Sequence, residues 1–287
     1  MSGLSTELEA ALSAMEASFH VRLIGTFDKD LVWAPADVQA ARWLAENHPE
    51  FDQFPVKDGD KTVGVLVRNG DYGSKFVFEA MQGLREGLIV SADMPIRNLI
   101  LHLIDNHYRL VLRGGRIDGL VTQSDLLKLP VRMLLFGLIS HLELCLRALI
   151  RERMPAQEWM EALQPERRKA LKSDLKRLSK ARLEPDLLEF TNLSDVVDAL
   201  SGQPELGVNF KAEMDSIRRL RNDLAHAKTY ISSPADVRQF ADRFKTIQYW
   251  IDSISALVKG PSRLTEPFWP IRGKLPSGIS VQEGDNL

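Results

Sequence analysis

Two short strings in this 287-residue chain hold residue types that can do chemistry. The first is Arg218-Arg219-Leu220-Arg221-Asn222-Asp223-Leu224-Ala225-His226. Cleaving RNA at a phosphate needs a base for the 2'-hydroxyl, an acid for the leaving 5'-oxygen and positive charge for the phosphorane between them. One histidine and one arginine are too few. Two copies of Arg221 and His226 across a two-fold axis would set two of each around one phosphate, with neither metal nor cysteine required. The second string is Gly119-Leu120-Val121-Thr122-Gln123-Ser124-Asp125. If Thr122 or Ser124 opens a helix, the unpaired backbone N–H groups and the dipole there favour an anion, and the Asp125 carboxylate can accept two vicinal hydroxyls. The same side chains would equally serve as the cap of that helix and nothing more.

The elements that must position these strings differ between the halves. Up to about residue 130 the pattern is short β-rich runs separated by helix signals: helices over 37–46, 74–85 and 95–106, strands over 62–68, 108–112 and 118–121. Helix, strand, turn, strand, helix occurs twice. The run from Phe54 to Val67 and the run from Tyr108 to Thr122 are each a strand, a glycine-containing tight turn and a second strand that passes through glycine. Ahead of both, Leu4, Leu8, Leu12, Met15 and Phe19 recur at intervals of three and four, the stripe of a short bracing helix.

This half, over residues 20–130, resembles a tandem of CBS domains, and Gly119 to Asp125 is similar to that family's Gly-apolar-x-Thr/Ser-x-x-Asp pattern. The resemblance implies an adenine nucleotide as regulatory ligand, with Thr122 and Ser124 at phosphate and Asp125 on ribose hydroxyls. The first copy departs from the pattern: Val67 takes the threonine position and Gly70 the aspartate position, with Asp71 one step late. One nucleotide site per chain is expected.

After Pro130 the β signal stops. Val131, Leu134, Leu135, Leu138, Leu142, Cys145, Leu146 and Leu149 form a helical stripe, and Phe136 and Ile139 broaden it to nearly the whole circumference, so this helix is expected at the centre of the fold or at a contact between chains. Further helices are expected over 164–182, 194–200, 208–227 and 234–258, the last with Ser233 as N-cap, Pro234 at its first position and Gly260 beyond its end. In the helix holding the first string, Ile217, Leu220 and Leu224 make the core-facing stripe. Steps of about 100° then put His226 opposite the core and Arg221 on its flank.

Arg221-Asn222-Asp223-Leu224-Ala225-His226, following a long apolar helix that contains Glu143, resembles the Arg-x-x-x-x-His signature of HEPN proteins, over residues 131–258. The resemblance implies a homodimer with one composite ribonuclease site, in which Arg221 steadies phosphate, His226 is acid or base and Asn222 assists, and a toxin or antiviral setting. His226 is followed by Ala227 and Lys228 with Tyr230 later, so the His-x-Tyr extension of HEPN toxins silenced by a nucleotidyltransferase is missing. The plainer alternative is a non-catalytic sensor or scaffold in which Arg221 pairs with Asp223 or Glu143, and Glu143 with Arg147 is a surface pair.

Charge agrees with this division. Residues 1–130 hold 13 Lys+Arg against 18 Asp+Glu, and residues 131–287 hold 24 against 21, so a polyanion should bind the second half. Its most basic stretch carries Arg167, Arg168, Lys172 and Lys176, which with Arg218 are the candidate RNA contacts; a solvated helix face is the bland alternative. DNA is not expected as a substrate, since it lacks the 2'-hydroxyl. The single cysteine, Cys145, excludes an intrachain disulfide, no histidines have metal-ligand spacing, and no metal or other cofactor is required. The N-terminus has no basic leader and no run of 18 uncharged apolar residues occurs, so a cytoplasmic protein off the membrane is expected. The expected fold class is α+β: a tandem CBS-type α/β module over 1–129, an all-α HEPN-like bundle over 130–259, and a proline-bearing tail over 260–287 pinned by Phe268 and Trp269.

Overall fold

The computed structural model describes residues 10, 13–68, 70, 72–180 and 186–258. Leu4, Leu8 and Leu12 of the bracing stripe, Asp71, Arg182, Gly260 and the 260–287 tail lie outside the described residues. Two compact units are present: residues 13–136 with 226–244, and residues 137–225 with 245–258. The division falls at Phe136 rather than at residue 130, and the segment from His226 to Phe244 joins the first unit.

The first unit is two four-stranded sheets. One has β2 (Ala34–Pro35), β3 (Gln53–Asp58), β4 (Lys61–Val67) and β5 (Gln82–Gly83) in that order; the other has β1 (Thr26–Phe27), β8 (Arg116–Thr122), β7 (Tyr108–Arg113) and β6 (Ile89–Ser91). The repeat is 55 residues: position 53 recurs at 108, 61 at 116, and the register shift at Val56/Lys57 recurs at Val111/Leu112. Helices α1 (Ala40–Glu46) and α3 (Ile96–His102) are the crossovers between the parallel pairs β2/β3 and β6/β7. The helix expected over 74–85 is only α2 (Val77–Ala80), because the chain turns there into β5.

Each sheet takes its edge strand from outside its own copy. β5 follows the first copy and pairs antiparallel with β4, while β1 precedes that copy and pairs with β8 of the second. Glycine is needed where those edge strands cross. A Cβ at Gly64 would stand 2.4 Å from the Gln82 carbonyl oxygen, and one at Gly119 would stand 2.5 Å from the Phe27 ring. Between the copies, Leu31, Val65, Leu88, Tyr108, Leu110 and Leu120 form one apolar cluster, and the Thr62 hydroxyl donates to the Ile117 carbonyl at 2.8 Å. Within residues 13–20, Glu16 pairs with Arg97 at 2.9 Å and His20 bridges Pro95.

The second unit is all-helical. It is built on the later part of α4 (Leu129–Arg153), with α5 (Ala156–Glu161), α6 (Pro165–Lys180), α7 (Leu193–Leu200), α8 (Phe210–Ala225) and the later part of α9 (Pro234–Val258). By length and composition α4 is apolar enough to cross a membrane. Leu138, Ile139, Leu142, Leu146, Leu149 and Ile150 are nevertheless buried in the protein, as a core helix requires. Phe136, expected to widen its buried face, is exposed together with Leu129 and Met133. In α8 the stripe is Phe210, Met214, Ile217, Leu220 and Leu224, and Phe210 meets Trp250 of α9 edge-on at 5.0 Å while the Trp250 indole N–H donates to Glu213 at 2.6 Å.

Because the first sheet closes by backbone contact at Gly64, Gly64→Ala is expected to lower stability by about 1–3 kcal/mol through overpacking. Gly83→Ala, whose Cβ would meet nothing within 4 Å, should cost less than the strand-pairing scatter of about 0.5 kcal/mol. Urea unfolding midpoints of the two variants check this.

Candidate functional sites

Strand β8 ends at Thr122 and runs into a five-residue 3-10 turn, Gln123–Leu127. The short turn cannot supply a helix dipole of any size, so the anion-binding argument from a helix start does not hold at Thr122. Asp125 is engaged locally. It is buried, one carboxylate oxygen accepts from the Thr122 N–H at 2.6 Å and from the Thr122 hydroxyl at 3.1 Å, and the other is 2.7 Å from the Lys128 ammonium. Three residues is the reach at which an acidic side chain turns back to the first N–H of a helical turn, so local capping occupies the groups that a ribose would use. Thr122 is half-buried, its hydroxyl 2.7 Å from that of Ser124, and Ser124 is exposed.

The residue that composition and motif did not single out is Arg109. It is 4% exposed at the second position of β7, paired with Val121, one rung of the β7/β8 ladder from Thr122. By the 55-residue repeat it stands where the first copy has Phe54, which is wholly buried in that copy's apolar cluster. Its guanidinium donates to the Tyr108 carbonyl at 2.8 Å, but Nε is buried with no hydrogen-bond partner. Burial first, and then the positive charge of Arg85, push its pKa below the ordinary arginine value. Tyr108 and the negative charge of Asp105 oppose that shift without cancelling it, so a cation held in a core position beside a second cation is only partly compensated. Aligning the two copies exposes it: an arginine replaces an aromatic core residue.

The first copy places its arginine differently. Arg68, beside Val67, donates to the carbonyls of Leu44, Asn47, His48 and Phe51 at 2.7–3.0 Å and lies 5.4 Å over the Phe54 ring. Gly70 is exposed.

In the helical unit α8 ends at Ala225, so His226 lies one residue past the helix, exposed, with Ala227 in the left-handed region at φ 51°. The helix expected to run to 227 stops early. Arg221 remains on α8, its side chain 40% exposed, with Nε 4.0 Å from Glu143 of α4. Asn222 is exposed, and Arg218 pairs with Asp215 at 3.2 Å. Glu143 and Arg147 are not a surface pair. Their side chains are 15% and 12% exposed and 3.7 Å apart, and Arg147 also donates to the Thr191 carbonyl at 2.8 Å. Burial raises the Glu143 carboxyl above the usual carboxylate range, opposed by Arg147 and Arg221.

The basic stretch divides into two kinds of residue. Arg167 donates to both oxygens of Asp195 at 2.8 and 3.0 Å and to the Phe190 carbonyl at 2.6 Å; Asp195 is itself buried and holds the first N–H of α7. Arg168 donates to the carbonyls of Glu161 and Leu163 at the end of α5. Both arginines, expected to meet RNA, are therefore committed to the fold, because orphan carbonyls and a buried carboxylate compete for their donors. Lys172 and Lys176 are exposed. Among the described residues no group of three or more His, Cys, Asp or Glu side chains could hold a metal.

Residues 85–132 match the family model for the CBS domain. They contain β6, α3, β7, β8 and the Asp125 turn. No curated protein matches the chain. Among solved structures, it is similar to the CBS domain of a bacterial CNNM/CorC family Mg2+ transporter in complex with ATP: 20% identity, 45% of this chain, 97% of that one, TM-score 0.35. CBSX2 in complex with AMP is 17% identical over 40% of this chain and 96% of that one, TM-score 0.32. The CBS domains of a transcriptional regulator from Streptococcus pneumoniae are 18% identical over 38% and 96%, TM-score 0.32.

Arg167→Ala is expected to destabilise the chain by about 1.5–3 kcal/mol, since it strands the buried Asp195 carboxylate. Lys172→Ala, a surface change, should stay within about 0.5 kcal/mol of the parent. Thermal melts of both variants under one buffer condition separate the structural cation from the exposed one.

Proposed function

We propose that the chain is a cytoplasmic adenine-nucleotide sensor joined to a helical effector that cuts RNA. The observation that carries the sensing half is Arg109: a buried guanidinium with an unpartnered Nε, next to Arg85 and one rung from Thr122, within the segment that matches the CBS domain. A nucleotide phosphate adds negative charge beside that guanidinium, which Asp105 compensates only in part, while the Thr122 and Ser124 hydroxyls at the end of the strand donate to another part of the ligand. Asp125 then acts by holding the turn that presents those hydroxyls, rather than by grasping ribose directly.

Calorimetry with ATP and AMP tests this part. Arg109→Met should weaken binding by a factor that corresponds to about 1.5–3 kcal/mol, the loss of a charge-assisted hydrogen bond. Its unfolding midpoint should match or exceed the parent's, because a buried charge that is only partly compensated is replaced by an apolar chain of similar length. Unchanged affinity in Arg109→Met, or no binding by the parent, removes the sensor reading.

For the effector, the support is the placement of Arg221 and His226 where the fold does not consume them, one 40% exposed and the other exposed, together with the resemblance of their spacing to HEPN ribonucleases. A homodimer would bring two of each to one phosphate, and the exposed apolar row Leu129, Met133 and Phe136, at helical spacing on α4, is the contact proposed for pairing. Lys172 and Lys176 are the remaining RNA contacts on the basic helix. A second reading, sensor and scaffold without catalysis, is favoured by the approach of Glu143 to Arg221, an ordinary structural pair.

The purified chain is expected to be a dimer by light scattering and Met133→Glu/Phe136→Glu a monomer. The dimer should cut RNA and not DNA, keep activity in EDTA and leave 2',3'-cyclic phosphate ends. His226→Ala should lose about 10²–10⁴-fold in rate. If RNA stays whole with and without nucleotide, or if His226→Ala cuts as fast as the parent, the scaffold reading takes its place.

A further inference from the structure

The 3-10 turn that carries Asp125 ends in two carbonyls, Leu126 and Leu127, and both are held by side chains that also hold the loop after His226. The Tyr230 hydroxyl donates to the Leu126 carbonyl at 2.6 Å. Arg132 donates through Nε to the Leu127 carbonyl at 3.1 Å and through Nη2 to the Lys228 carbonyl at 3.0 Å, and its guanidinium lies 5.1 Å over the Tyr230 ring. Tyr230 is buried, stacked on Phe240 at 5.4 Å. Toward the motif the linkage continues without a gap: Lys128, at the end of the turn, pairs with Asp125, and its carbonyl accepts the Val131 and Arg132 N–H groups that begin α4. All of these residues belong to one compact unit.

We infer that Arg132 and Tyr230 form a latch through which the Thr122–Asp125 turn sets the conformation of the loop that begins at His226. The inference rests on the proposed function for what that loop does, though not for the latch itself. A side chain bonded to two backbone segments can transmit a displacement of one to the other. Ala227 at positive φ gives the loop a backbone state that costs energy and persists only under restraint. Binding at Thr122 and Ser124 that shifts the turn therefore shifts residues 227–231, and by linkage the loop's state changes ligand affinity.

Hydrogen exchange on the full chain reads the latch without ligand or RNA. Asp125→Asn removes the charged anchor of the turn and is expected to raise amide exchange at residues 227–233 about three- to tenfold, the range for losing one hydrogen bond. In a Tyr230→Phe background, where exchange there is already raised, the same change should add nothing. Should Asp125→Asn fail to fold, Lys128→Met removes the exposed end of the same ion pair instead. Parental exchange at 227–233, or equal increments in both backgrounds, overturns the latch. Cleavage assays with ATP then separate the latch from the reading it serves. A Tyr230→Phe variant that binds ATP and cleaves RNA but ignores the nucleotide supports the latch, and one that keeps the parent's response overturns it. A parent that cleaves no RNA removes the ribonuclease reading alone, and the exchange result still decides the latch.

Discussion

The constraint on which the first unit depends is that each of its sheets is completed by a strand from outside its own repeat. An open edge strand exposes unpaired N–H and C=O groups, and β1 and β5 cover the edges of β8 and β4. The covering strand must come close, so Gly64 and Gly119 sit at equivalent positions, where any side chain would meet Gln82 or Phe27. Because β1 precedes the first copy yet closes the second, neither copy can complete its sheet alone. β7 and β8 thereby become central strands, and the turn at Thr122 is held from both sides.

On that shared scaffold the two copies put their core positions to different uses. In the first, Phe54 packs in the apolar cluster with Leu44 of α1, and Arg68 satisfies four carbonyls. In the second, Arg109 occupies the place of Phe54 and has a donor left over. An apolar side chain there would be the more stable choice for folding alone.

The architecture was legible in the sequence where it rested on repetition and periodicity. The double strand-turn-strand, the crossover helices, the apolar α4 and the cap of α9, where Ser233 accepts from the Asp236 N–H at 3.3 Å, all follow from patterns of two, of 3.6 or of capping types. Roles that depend on competition for donors were not legible. A run containing Arg167, Arg168, Lys172 and Lys176 looks like one basic face, but Asp195 and the end of α5 draw the two arginines inward, and no spacing rule foretells which carbonyls will need them. The capping contacts of Asp125 are of the same kind: a carboxylate three residues from a strand end reaches back to the Thr122 N–H and hydroxyl. Arg109 was visible in principle, since comparing the copies position by position shows a charge where the other has a ring. Motif matching passed over it because it lies outside the motif.

The same competition sorts the cations of the helical unit by what they can still do. Arg147, Arg151 and Arg167 bind buried or half-buried carboxylates and carbonyls that would be costly to abandon, and a ligand could recruit them only by undoing the packing they serve. Arg221 is different. Its approach to Glu143 is long, at 4.0 Å, and it is partly open to solvent, so exchanging that carboxylate for a phosphate costs little. Burial already disfavours the Glu143 anion, and Arg147 stays beside it to compensate whatever charge it keeps. A guanidinium whose present partner is weakly held and separately stabilised can change partners without disturbing the fold, and Arg221 meets that condition.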